Sequence, residues 1–77
     1  MLEEKIERIR GTIIDFYQTI QTRDCNKEAY TYIFDLYSKY EKIIKDNGLV
    51  NGYLEISMEY IRKRYKEQLN KGFDNVE

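Results

Sequence analysis

The N-terminal isoleucines constrain the fold of this chain more than any other feature. Leu2, Ile6, Ile9, Ile13, Phe16 and Ile20 follow one another at intervals of 4, 3, 4, 3 and 4 residues. A helix turns once every 3.6 residues, so this spacing draws one apolar stripe along a single face. Tyr17 widens it. Glu3 and Glu4 lie where negative charge suits the positive end of the helix dipole. Proline, which would interrupt such a helix, occurs nowhere in the 77 residues.

The spacing therefore predicts a first helix over 2–22, and the same logic predicts two more. Tyr30, Ile33, Tyr37, Tyr40 and Ile44 repeat at 3, 4, 3 and 4 over 26–46, with Phe34 beside them. Leu54, Met58, Ile61, Tyr65 and Leu69 form a stripe over 52–70. Asp24 or Asn26 can cap the second helix through a side-chain oxygen. Asn47-Gly48 and Lys71-Gly72 supply stop signals. Asn51-Gly52 could start a hairpin, but its flanks carry a helical period and not a period of two. Leu49 and Val50, between the two Asn-Gly pairs, are expected to fold back onto the core as a plug. Gly11 is either an exposed glycine or a place where a second backbone comes close. These segments predict an all-α fold, an antiparallel three-helix bundle forming one domain over 1–72. The tail 73–77 is expected to fray, with Phe73 the one residue able to dock.

Charge and composition narrow the function. Lys plus Arg is 13 and Asp plus Glu is 14, a net charge of -1. That balance argues against a non-specific nucleic-acid coat or a polybasic membrane anchor. Histidine is absent, which removes His-based triads, His-ligated zinc and the usual pH switch. The single cysteine, Cys25, allows no intrachain disulfide and has no histidine base to make it a nucleophile. Asp15 and Asp35 fall on solvent faces of different helices, so no paired acid and base are indicated. No apolar run is long enough to span a bilayer, and the acidic start does not resemble a signal peptide. A soluble cytoplasmic protein without metal or cofactor is expected.

Two groups of residues stand out as candidate contacts. Tyr32, Leu36 and Ile43 on the second helix, and Tyr53, Ile56 and Tyr60 on the third, fall beside the main stripes. Either they belong to the wide apolar arc of a helix with two neighbours, or they form an interface. A chain this short offsets its ordering entropy only narrowly, and oligomerisation is a common remedy. The chain has eight tyrosines, a residue enriched at interfaces. The second group is Arg62, Lys63, Arg64 and Lys66, four cations around Tyr65. They could hold phosphates, or pair with Glu59 and Glu67 on a solvated face. A DNA-reading helix is disfavoured, because a recognition helix usually offers polar or basic residues near its N-terminus and the third segment opens Gly52-Tyr53-Leu54-Glu55. The leading expectation is a non-enzymatic helical interaction module, an adaptor or inhibitor that occupies a partner surface. Its partner is a second copy, with a dimer favoured, or another protein. The alternative is a binder of nucleic acid or phosphorylated ligands through the basic cluster.

Overall fold

The computed structural model describes residues 2–51 and 54–73. It contains three helices: α1 over Leu2–Thr22, α2 over Lys27–Asp46 and α3 over Glu55–Lys71. Each packs against the other two. Ring contacts set their directions. Phe16 meets Tyr30, while Arg10 reaches Tyr40, so α1 and α2 are antiparallel. Tyr65 meets both Tyr30 and Phe34, and Arg62 lies over Tyr37, so α2 and α3 are antiparallel too. Tyr17 against Tyr60 follows from the parallel run of α1 and α3. The result is an all-α three-helix bundle, as the stripes predict.

The stripes of α1 and α2 become the core. Ile6, Ile9, Ile13 and Ile20 are buried on α1, and Tyr30, Ile33, Tyr37, Tyr40 and Ile44 on α2. At one end of the bundle the core is aromatic. The Tyr30 ring lies 5.0 Å from Phe16 and 5.4 Å from Tyr65, and Phe34 meets Tyr65 edge-on at 5.1 Å. Phe73 closes this cluster at 6.0 Å from Tyr30. It therefore docks, while the rest of the expected fraying tail, 74–77, lies outside the described residues.

Both ends of α2 are closed by hydrogen bonds. Asn26, not Asp24, is the N-cap, its Oδ1 accepting from the Ala29 N–H at 2.9 Å. At the other end Gly48 takes φ 63°. The Leu49 N–H then donates to the Ile44 carbonyl at 2.9 Å and the Gly48 N–H to that of Lys45 at 3.2 Å. This is the double bond pattern of a Schellman stop, which needs a left-handed residue that glycine adopts without strain. Gly11 has open space around the position a Cβ would take, so no second backbone among the described residues comes close to it.

Two expectations are corrected. Leu49 and Val50 do not plug the core: they are 45% and 82% exposed. Leu54 is fully buried near that end of the core instead. The Asn51 amide donates to the Tyr37 hydroxyl at 2.6 Å, tying the loop to α2 without burying its apolar side chains. Leu69 is 46% exposed, and Gln68 is buried in its place. The buried face of α3 keeps the alternation of four and three from Leu54 through Met58, Ile61 and Tyr65, which lands on residue 68 and not 69. The described α3 starts at Glu55 and ends at Lys71, next to the stop expected at about Asn70. The expected start at Gly52 lies outside the described residues. Leu54, at the N-cap position, makes no side-chain hydrogen bond.

Candidate functional site

The structure separates the candidate contacts into a scattered set and a gathered one. On α2, Leu36 and Ile43 are half-buried and pack against the core, so they form the margin of a wide arc and not a free stripe. Tyr32 is 59% exposed but stands apart from the other candidates. Tyr53 lies outside the described residues.

On α3 the two candidate groups merge. Ile56, Tyr60, Arg62, Lys63 and Lys66 line one open cleft of about 630 Å³ together with Glu59, and Tyr17 of α1 forms its far wall. Helical spacing explains the merger, since residues 56, 60 and 63 repeat at four and three along one face. Tyr17 and Tyr60 meet edge to face, with centroids 5.3 Å apart and planes at 84°. That geometry suits the ring quadrupoles and holds both side chains in place. Ile56 is 73% exposed. The cleft thus has an apolar floor and a rim of three cations and one carboxylate.

Arg64 does not join this rim. One guanidinium nitrogen donates to Asp24 at 2.6 Å and another to Glu67 at 3.1 Å. Burial opposes its charge, and Glu67 and Asp24 more than restore it. Arg64 is therefore a clamp between α3 and the α1–α2 connection. Lys63 and Lys66 behave differently: among the described residues neither forms an ion pair, and the pairing of Lys63 with Glu59 or Glu67 expected for a solvated face is not made. Arg62 spreads its guanidinium 5.7 Å over the Tyr37 ring, a contact that leaves its N–H donors free of carboxylates.

Tyr17 is the lining residue that sequence reasoning missed. It reads as a widening of the α1 stripe, and its signal was its place beside, not on, the alternation that passes through Phe16. Among the described residues no three His, Cys, Asp or Glu side chains cluster to hold a metal ion. No described helix is long and apolar enough to cross a membrane. Comparison with protein-family models, curated proteins and solved structures returned no match to this chain.

Proposed function

We propose that this protein is a small non-enzymatic interaction module that offers the groove between α1 and α3 to a protein partner. One observation carries this reading. Ile56, a branched apolar side chain, stands 73% exposed in a cleft whose other apolar walls are the paired rings of Tyr17 and Tyr60. A single exposed apolar residue is ordinary on a protein surface, whereas one set against amphipathic aromatic rings resembles an interface core awaiting cover. Among the described lining residues Glu59 is the one carboxylate, and it forms no hydrogen bond or ion pair with another side chain, which favours binding over acid–base chemistry.

A second reading has its own support. Arg62, Lys63 and Lys66 make no ion pair among the described residues, and such a rim could hold the phosphates of a nucleic acid or a phosphorylated ligand. Affinity purification from the native host, with wild type and Ile56→Asp side by side, separates the two. A protein recovered by wild type and lost with Ile56→Asp, at unchanged helicity, is the expected result. Equal recovery by both baits overturns the reading. Recovery that nuclease treatment abolishes turns it into the second one.

A further inference from the structure

Resting on the groove as an interaction site, the charge around it specifies the partner. We infer that the groove takes an acidic amphipathic helix, one whose apolar side chains cover Ile56 and Tyr60 and whose flanking carboxylates reach Arg62, Lys63 and Lys66.

The rim is the first argument. Three cations and one carboxylate surround the cleft in a chain whose overall charge is -1. The positive excess is therefore local. Lys63 and Lys66 have no carboxylate partners among the described residues and Arg62 lies over the Tyr37 ring of α2, while Arg64 in the same run has two carboxylates. Charges left open around an apolar patch steer an oppositely charged partner and fix its register.

Shape supplies the second argument. From Ile56 to Lys66 the lined face of α3 is about 15 Å long at 1.5 Å per residue, close to three turns. The apolar part of that face, Ile56 and Tyr60, spans one turn and Lys63 and Lys66 continue it, an arrangement that a helix laid in a groove meets with an apolar anchor followed by carboxylates at helical spacing. A nucleotide would leave Ile56 without an apolar contact. The Tyr17 and Tyr60 rings are already engaged with each other, whereas single strands are held by aromatic faces on which bases stack. A second copy is disfavoured by charge, because apposing two such grooves brings two cationic rims together.

The test uses three synthetic peptides of about 16 residues, long enough to cover the face. They share a Leu stripe at alternating three- and four-residue spacing and differ only in flanking Glu, Gln or Lys. Binding is followed by the amide and ring NMR signals of the full chain. The Glu peptide should bind about tenfold more tightly than the Lys peptide, the sum of a few exposed ion pairs. Its signal changes should centre on Tyr17, Ile56, Tyr60 and Lys63, and salt should weaken it. The double variant Lys63→Glu, Lys66→Glu alters only exposed side chains and should reverse the preference. Failure of the Glu peptide to bind, or equal binding of the Glu and Lys peptides, overturns the inference. So does a stable dimer in light scattering that buries the groove residues, or an oligothymidylate that shifts them more strongly than the Glu peptide. The underlying reading fails separately, when Ile56→Asp leaves host recovery unchanged. The inference fails alone when Ile56→Asp abolishes recovery yet peptide charge makes no difference.

Discussion

Helices α2 and α3 are of similar length and share one core, yet they are built to different standards. Every residue of the expected α2 stripe, from Tyr30 to Ile44, is buried, and both of its ends are closed by hydrogen bonds. On α3 the N-cap side chain bonds nothing, Ser57 and Gln68 are buried, and Ile56 and Leu69 stand out in solvent. In α2, local preference and tertiary demand agree. In α3 they part at its C-terminal end, where Gln68 is buried and Leu69 exposed beyond the cleft lining that ends at Lys66.

The largest test of this contrast compares two isoleucines. Ile33 of α2 is buried and Ile56 of α3 is exposed. Ile33→Ala should lower the unfolding free energy by about 2–5 kcal/mol, since it removes buried methyl groups and leaves a cavity. Ile56→Ala should change it by less than about 0.5 kcal/mol. Urea unfolding of both variants measures the difference. If Ile56→Ala costs as much as Ile33→Ala, the groove residue is core and the contrast collapses.

A smaller effect is expected at the α2 cap. Asn26→Ala removes the acceptor of the Ala29 N–H and should cost about 1 kcal/mol, seen in the same unfolding curves. A cost near zero would mean that α2 is no better closed than α3.

The smallest effect at neutral pH concerns Tyr30, the point where the order of α2 is incomplete. Its hydroxyl is buried with no hydrogen-bond partner among the described residues. Burial pushes its pKa up to about 12, against the partial relief of the Arg64 cation. Burial raises that of Tyr37 as well, although the Asn51 hydrogen bond opposes the rise. Below pH 10 Tyr30 is neutral in folded and unfolded chains alike. Between pH 10 and about 12 the unfolded chain loses this proton while the folded one keeps it, so stability falls as pH rises. Tyr30→Phe should leave stability at pH 7 unchanged or slightly higher, because it removes an unpaired buried hydroxyl. It should also flatten the alkaline decline relative to wild type. A clear loss at pH 7 would reveal a partner for the hydroxyl and make α2 fully satisfied.

The sequence by itself determined the three helices, their short connections and nearly all of the α1 and α2 core. Those features follow from periodicity, from Asn26 and Asn47-Gly48, and from the absence of proline, all of which act over a few residues of chain. Only the tertiary structure decided where the buried face of α3 runs. Its stripe carries polar Ser57 and Gln68, so apolar spacing alone pointed to Leu69. Tertiary structure also decided that Leu49 and Val50 stay outside while Leu54 is buried. The same holds for the split of the basic run, Arg64 to Asp24 and Glu67, and Lys63 and Lys66 to the cleft. Spacing along one helix tells which residues share a face. It does not tell which neighbouring helix brings a tyrosine or a carboxylate to that face, because Tyr17 and Asp24 are 43 and 40 residues away from Tyr60 and Arg64 along the chain.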